Sequence, residues 1–274
     1  MLIFQLYPFI YSLVLSFTDK SMAAQTDFVG LDNYLYMFTK DRDFPKVCAA
    51  TLKFVLFAVP GRVLFALLVA ILMSSEIRGI NVFRTLYYLP SIFGSSVAIS
   101  IVWRFLFQKS GLINSMLTSV GLNAVNWLGD PNMALITISI IPIWQFGSSM
   151  VLFLAALKNV PRELYEAAMI DGSGRFHTFF KVTFPMISPI VLFNLMMQSV
   201  SCFQEFSTAF VLTKGGPNKA TFLYGIKLYR EGFTDFRMGY ASALSWVLFL
   251  AILLVTGLLW LSSKYWVYYS DGRD

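Results

Sequence analysis

Long apolar segments dominate this chain, and they constrain its fold more than any other feature of the sequence. Hydrophobic residues make up 57% of the 274 positions and charged residues only 13%, whereas soluble domains carry about 25% charged residues. One core of this size cannot bury so much apolar surface, but a lipid bilayer can, because a spanning helix needs about 20 largely apolar residues. The composition therefore predicts an integral membrane protein and excludes soluble globular enzymes, disordered tails and disulfide scaffolds.

Six apolar segments are bounded by charged or Gly/Pro-rich flanks, and we interpret each as a transmembrane helix. They are residues 2–17, 47–73, 85–107, 133–157, 187–212 and 239–261. The pattern predicts an all-α, polytopic membrane protein whose residues 1–274 form a single transmembrane domain, with core spans at about 47–262. Because the first segment begins at the chain start with no charged lead-in, we expect further residues to precede Met1 in the natural protein.

The loop of residues 158–189 has the pattern of a helix, a glycine turn and a second short helix. Pro161 suits the first turn of a helix, and Gly172 suits its end. A short amphipathic stretch follows, and Pro185 and Pro189 are expected to end the loop before the fifth span. Such an elbow either docks into a partner protein or rests on the lipid surface, and the residues alone leave both interpretations open.

Polar side chains follow one stripe of the fifth predicted span, where a lipid-facing surface would be apolar. Asn194, Gln198, Ser201 and Glu205 recur at helical spacing, and Gln204 lies beside them. Amides, a hydroxyl and a carboxylate next to aromatic rings are groups that bind sugars, so the stripe predicts a solute pathway. Hydrogen bonding between helices is the alternative interpretation.

Other spans contain weaker candidates for this pathway. They are Gln145 in the fourth span and Tyr240 and Ser245 in the sixth. Arg62 in the second span is predicted either to extend to the membrane surface or to pair with Glu205. The sequence does not choose between these two roles.

Several motifs of this chain resemble those of one transporter family. The elbow contains Glu166-Ala167-Ala168, Asp171-Gly172, Phe180, Pro185 and Pro189. This run resembles the coupling-loop motif of ABC importer permeases, which work with a solute-binding protein. Residues 28–34, 203–206 and 212–217 resemble the sugar subgroup of that family, the maltose- and glycerol-phosphate-type permeases. The resemblance covers residues 1 to about 262.

The resemblance implies that the elbow is a cytoplasmic helix–turn–helix coupling loop that binds an ATPase subunit. Its contact residues would be Glu166, Ala167, Ala168, Asp171, Gly172 and Ser173. The family usually has alanine at the position of Ser173. The chain has no G-x-x-x-x-G-K-[ST] phosphate loop, so it would be a non-catalytic subunit without a cofactor. ATP and Mg would bind to the partner ATPase.

The resemblance also implies partners and a location. A second homologous permease, a dimer of ATPase subunits and an extracytoplasmic solute-binding protein would join this chain in the bacterial cytoplasmic (inner) membrane, where it would move a carbohydrate by alternating access. The net charge of +6 fits loops that lie against anionic lipid headgroups, and no basic run indicates a nucleic-acid partner. A permease for a non-sugar solute and a secondary transporter are the alternatives.

Charge counts bear on orientation and on the solute. Loops 18–46, 104–131 and 214–238 carry eleven basic residues, against eight in the remaining loops. The positive-inside rule alone would therefore place the first set in the cytoplasm, whereas the coupling motif places it outside, and we follow the motif. These outer loops also carry eight acidic residues. The surplus of basic residues favours an anionic carbohydrate, or equally a docking surface for the binding protein.

Overall fold

The computed structural model describes residues 2–21, 26–74, 79–94 and 96–269. Within these ranges it is almost entirely helical, with two isolated β-bridges and no strand of a sheet. The α-helices are α1 (Leu2–Ser16), α2 (Asp32–Thr39), α3 (Phe44–Met73), α4 (Ile80–Ile92), α5 (Val97–Phe107), α6 (Leu112–Ser119), α7 (Pro131–Trp144), α8 (Gly147–Lys158), α9 (Arg162–Ile170), α10 (Arg175–Thr178), α11 (Phe184–Phe203), α12 (Ser207–Thr213), α13 (Tyr224–Tyr229) and α14 (Met238–Trp266). Two π-helical turns, Phe179–Thr183 and Arg230–Thr234, follow α10 and α13.

Three helices are long and apolar enough to cross a bilayer. They are α3, the continuous helical stretch Arg175–Phe203, and α14. Two helix pairs, α4 with α5–α6 and α7 with α8, pass the same test as bent spans, so the described residues contain up to five candidate spans. Helix α1 is apolar but shorter. A mostly helical membrane protein is therefore confirmed, while the count of six spans stays a prediction.

The chain forms two compact units, each assembled from three separate stretches of sequence. Unit 1 comprises Met1–Val55, Ser96–Ile138 and Phe203–Leu254. Unit 2 comprises Leu56–Ser95, Ser139–Cys202 and Val255–Asp274. Long helices such as α3 and α14 contribute one end to each unit.

Two predicted spans, 85–107 and 133–157, are each divided into two helices by a break. The first is divided into α4 and α5, and the second into α7 and α8, with a bend of 47° between the latter two. Gln145 lies in the second break, and its side-chain amide donates a hydrogen bond of 2.5 Å to the carbonyl oxygen of Gly94 in the first break. A backbone acceptor freed within the membrane region thus finds a partner inside the protein, which makes such breaks tolerable.

The predicted fifth span, 187–212, is likewise not a single helix, because three residues separate the end of α11 at Phe203 from the start of α12 at Ser207. The carboxylate of Glu205 accepts a hydrogen bond of 2.9 Å from the backbone N–H of Thr208 in the first turn of α12. A side-chain oxygen that satisfies an N–H at a helix start favours a new helix at that point. Glu205 therefore has a structural role at this break.

Two prolines that were expected to end the elbow lie inside a helix instead. The helical stretch Arg175–Phe203 runs without interruption through Pro185 and Pro189. Pro189 has no N–H to donate to the carbonyl oxygen of Pro185. The hydroxyl of Ser188 donates to that carbonyl at 2.5 Å, which replaces the lost backbone bond. The boundary at residue 189 is therefore wrong, and α10 leads directly into α11.

The core of unit 2 joins the elbow to three long helices. Its buried members include Val63, Ala66 and Ala70 of α3, Met150 and Phe153 of α8, and Ile187 and Val191 of α11. Tyr165 of α9 and Phe179 pack against this core. Because protein interiors are close-packed and transmit strain, a displacement of the elbow would be transmitted to the helices that share this core.

We expect Gly147→Ala to lower the melting temperature of the purified protein in detergent. A Cβ at this position would lie 2.6 Å from the carbonyl oxygen of Tyr87 and 2.7 Å from the Cα of Tyr88. Both atoms belong to backbone that cannot rotate away, so the overpacking should cost about 1–3 kcal/mol. The control is Gly257→Ala in α14, where nothing lies within 4 Å of the new Cβ. Equal melting temperatures for the two variants would contradict the close helix contact.

Candidate functional site

The turn of the elbow is built on a helix that stops at a glycine. Gly172 follows α9 and has a φ of +69°, a left-handed conformation that residues with a Cβ adopt only at a cost. The N–H of Ser173 donates to the carbonyl oxygen of Ala168 at 2.9 Å, and the N–H of Gly172 donates to that of Met169 at 3.1 Å. This pairing is the Schellman motif. The first elbow helix, α9, therefore ends just before Gly172, as the sequence predicts.

Side-chain hydrogen bonds hold the two arms of the elbow together. The hydroxyl of Thr178 donates to the hydroxyl oxygen of Ser173 at 3.1 Å. The hydroxyl oxygens of Tyr165 and Thr183 lie 3.1 Å apart and share a hydrogen bond. Ser173, at the position where the family usually has alanine, thus has a hydrogen-bond partner in α10, the second helix of the elbow.

The six predicted contact residues divide between surface and interior. Glu166, Ala167, Asp171 and Gly172 are exposed, Ser173 is half-buried and Ala168 is buried. The neighbouring apolar residues Ile170 and Phe176 are 87% and 85% exposed. Exposed apolar side chains beside polar ones are typical of a surface that binds a protein or a membrane.

A concave pocket follows the inner side of this turn. Its volume is about 540 Å³. It is lined by Ala168, Asp171, Gly172, Ser173, Gly174, His177, Lys181 and Val182. The pocket brings four of the six predicted contact residues together, and it has room for side chains of a docked partner.

The polar stripe of α11 divides into a buried and an exposed part. Asn194 is buried, and its amide donates to the carbonyl oxygen of Ile190 at 3.0 Å. Gln198 is buried as well, and its amide donates to the hydroxyl of Ser149 in α8 at 3.1 Å. Asn194 thus bonds within its own helix and Gln198 bonds to a neighbouring helix, which fits the alternative interpretation that the stripe joins helices. Ser201 and Gln204 are exposed.

The weaker pathway candidates are occupied by contacts within the protein. The amide of Gln145 bonds to Gly94, and the hydroxyl of Ser245 donates to the carbonyl oxygen of Ala241 at 2.9 Å. The hydroxyl of Tyr240 donates to a carboxylate oxygen of Asp41 at 2.5 Å. Tyr240 thereby belongs to a charged cluster that sequence reasoning did not find.

This charged cluster lies within unit 1 and is centred on Lys227, which is 3% exposed. Its ammonium lies 2.6 Å from a carboxylate oxygen of Asp41 and 3.0 Å from one of Glu231. Arg237 donates to the other oxygen of Glu231 at 3.1 Å, and its guanidinium lies 4.7 Å from the ring centre of Tyr240. Two cations and two carboxylates thus neutralise each other beside an aromatic ring.

The contacts of this cluster favour the charged forms of Asp41 and Lys227. Burial alone would raise the pKa of Asp41, but hydrogen bonds from Lys227 and Tyr240 outweigh it and hold that pKa below its usual value. Burial alone would lower the pKa of Lys227, but its bonds to Asp41 and Glu231 hold that pKa above its usual value. Of the contacts in this cluster, the sequence indicates only the pair of Lys227 and Glu231, because residues four positions apart on a helix lie on the same face.

Residues able to bind a metal do not come together in the described part of the chain. No group of three His, Cys, Asp or Glu side chains lies close enough there to hold a metal ion. The single histidine of the sequence, His177, is exposed in the elbow.

Comparisons with known proteins point to one family. Residues 42–273 match the family described as "Binding-protein-dependent transport system inner membrane component". The probable ABC transporter permease protein YesP of Bacillus subtilis (strain 168) is 43% identical over 100% of this chain and 89% of its own length. The lactose transport system permease protein LacF of Rhizobium radiobacter is 32% identical over 93% of this chain and 87% of its own length.

A solved structure shares the fold. It is the crystal structure of a bacterial alginate ABC transporter in complex with an alginate pentasaccharide-bound periplasmic protein. One chain of it matches with a TM-score of 0.81 at 22% identity, over 96% of this chain and 89% of that one. At this identity the likeness describes the fold of the chain and no more.

We expect Lys227→Met to lower the melting temperature sharply. The substitution leaves Asp41 and Glu231 buried with fewer partners, and breaking a buried ion pair costs about 3–5 kcal/mol. Lys219→Met is the control, because Lys219 pairs with Asp43 at 2.5 Å where the side chains are 44% and 28% exposed, and such pairs contribute about 0–1 kcal/mol. Thermal unfolding in detergent compares the two variants, and similar losses would refute a structural role for the cluster.

Proposed function

Because this chain belongs to the family of binding-protein-dependent transport system inner membrane components, we propose that it is the membrane-spanning permease subunit of an ATP-driven carbohydrate importer. As a family member it is a multi-pass protein of the inner membrane, as the sequence predicted. We propose that the carbohydrate is an oligosaccharide, that a solute-binding protein delivers it, and that alternating access moves it across the membrane. The observation that carries the proposal is the elbow, an exposed surface fixed to a helical core.

The elbow is proposed to bind the ATPase. Glu166 and Ala167 are exposed on α9, and the turn Asp171–Ser173 borders the pocket of about 540 Å³. A basic residue of the ATPase would pair with Glu166, and side chains of the ATPase would fill the pocket. Ala168 has a different part, since it is buried and lets the helix pack closely against its own subunit.

Movement of the ATPase would be passed to the membrane helices through packing. Tyr165 and Phe179 pack on the same core as Val63, Phe153 and Ile187, which belong to α3, α8 and α11. A displacement of α9 therefore displaces these helices together, because close-packed side chains do not compress. We propose that this motion opens the pathway alternately to the two sides of the membrane.

The family and its members also support the remaining proposed partners. The lactose permease supports a carbohydrate solute, and the description of the family as binding-protein-dependent supports a solute-binding protein as partner. We further propose a second homologous permease, an ATPase dimer that binds ATP and Mg, and no catalytic or cofactor site in this chain. Six spans within one transmembrane domain complete the proposal, with α1 as the first span.

We expect Glu166→Lys to abolish ATP-driven uptake and to weaken assembly with the ATPase. Reversing the charge of an exposed residue on the docking face replaces an attraction by a repulsion. Glu163→Lys is the matched control, since Glu163 is exposed on the same helix and undergoes the same charge change. Co-purification of the ATPase and uptake into proteoliposomes report on both variants. Wild-type uptake by Glu166→Lys would refute the coupling role and favour a secondary transporter.

We expect Ser201→Ala and Gln204→Ala each to raise the KM for solute while leaving the ATPase bound. Each removes one exposed hydrogen-bonding group, which is worth about 0.5–1.5 kcal/mol, or roughly a 2- to 10-fold change in KM. Ser199→Ala is the control, because Ser199 is buried and bonds to the carbonyl oxygen of Leu195. An unchanged KM for both variants would remove these residues from the pathway.

A further inference from the structure

Arg62 carries a positive charge deep within the longest membrane helix. It lies eleven residues before the end of α3 at Met73, which corresponds to about 17 Å at 1.5 Å of rise per residue. The other end of the helix is further away still. An arginine side chain does not extend over such a distance, so its guanidinium does not reach the membrane surface.

The guanidinium has few partners in its own unit. Its Nη2 donates to the hydroxyl of Ser148 at 3.3 Å, whereas its Nε is buried without a hydrogen-bond acceptor. Among the described residues, the carboxylates of unit 2 are Glu163, Glu166 and Asp171, all in the elbow. None of the three forms an ion pair with Arg62. Within unit 2, the cation therefore faces a hydroxyl and no counter-charge.

The surroundings of Arg62 are polar because the bent span is interrupted beside it. Ser148 and Ser149 are the second and third residues of α8, directly after the break. Ser149 accepts the amide hydrogen bond of Gln198. The start of α8 also contributes the partial positive charge of a helix N-terminus. A positive potential and several hydrogen-bonding groups thus meet at membrane depth, and Arg62 itself stays partly exposed.

We propose that Arg62 is a specificity-determining residue that binds the anionic group of a charged carbohydrate during transport. The proposal rests on the proposed function, because it names the substrate class of that permease. A charge at membrane depth without a counter-charge in its own unit is costly, and a passing carboxylate or phosphate removes that cost. The guanidinium fork binds such oxyanions through charge-assisted hydrogen bonds, which are stronger than those to a neutral hydroxyl. A neutral sugar leaves the charge uncompensated.

The test uses the whole transporter, purified in mild detergent with the proteins that accompany the tagged chain and reconstituted into proteoliposomes. The probes are a uronate disaccharide, its neutral methyl ester and a sugar phosphate. Wild type is compared with Arg62→Gln and Arg62→Lys. The control is Lys264→Gln, which removes one charge from an exposed position in the last turn of α14. ATP-dependent uptake and the composition of the purified complex are both measured.

We expect wild type to take up the anionic probes, and Arg62→Gln to take them up roughly 10- to 100-fold more slowly. Uptake of the methyl ester by Arg62→Gln should fall by much less, and Arg62→Lys should recover part of the anionic uptake. Lys264→Gln should behave as wild type. Equal losses for the charged probe and its ester would mean that Arg62 is structural, and that result overturns the proposal.

Two further results would assign Arg62 to another partner and overturn the proposal. One is loss of the second permease from the Arg62→Gln complex, which would make a residue of that subunit the counter-charge. The other is a Glu205→Gln variant with the same probe-dependent loss as Arg62→Gln, which would indicate a pair between these two residues.

The outcomes also separate this proposal from the proposed function. ATP-driven uptake of the neutral ester, without uptake of either anionic probe, overturns the assignment of Arg62 and leaves a carbohydrate importer. Absence of ATP-dependent uptake for every probe, together with a complex that contains no ATPase, overturns both.

Discussion

Within a bilayer every polar group must find its partner inside the protein, and this requirement governs where the helices of this chain break. The carbonyl oxygen of Gly94, in the break between α4 and α5, accepts a hydrogen bond from the side chain of Gln145 in the break between α7 and α8. At the end of α11 a carboxylate satisfies an N–H of the next helix. Polar side chains therefore lie at the breaks, and under the proposed function their hydrogen-bonding groups are available to a polar solute.

The same requirement separates two kinds of charge in this protein. Around Lys227 two cations form ion pairs with two carboxylates, and the neighbouring Tyr240 donates a hydrogen bond to Asp41. Such a cluster has no need of a ligand, which explains why Tyr240, although polar and in an apolar segment, fits a structural role. Arg62 is the opposite case within unit 2, because its contacts there include one hydroxyl and no carboxylate. The contrast is why the proposed solute contact is assigned to Arg62 and not to Tyr240.

Hydropathy predicted the apolar segments well and their interruptions poorly. Predicted spans 47–73 and 239–261 correspond to α3 and α14 within a few residues, because long apolar runs need no distant partner to be recognised. The break in span 133–157 is accompanied by a hydrogen bond between Gln145 and Gly94, which are 51 positions apart in the sequence. The mean hydropathy of a whole span changes very little with two residues, so it does not indicate such a break. The charged cluster was missed for the same reason, since Tyr240 and Asp41 are 199 positions apart. The helix end at Gly172 was predictable because its cause is local.

The uninterrupted helix from Arg175 to Phe203 connects the elbow directly to the polar stripe of α11. A loop between them would absorb a displacement of α9 or α10, whereas a continuous helix transmits it along its length. The π-helical turn at Phe179–Thr183 is the one irregular step in this path, and turns of this kind often occur at functional sites in helices. Gln198 lies further along the same helix and is bonded to Ser149 of α8. A rotation of α11 driven from the elbow would therefore act on the hydrogen bond that joins it to α8 beside Arg62, so under the proposed function this one helix would serve both coupling and solute recognition.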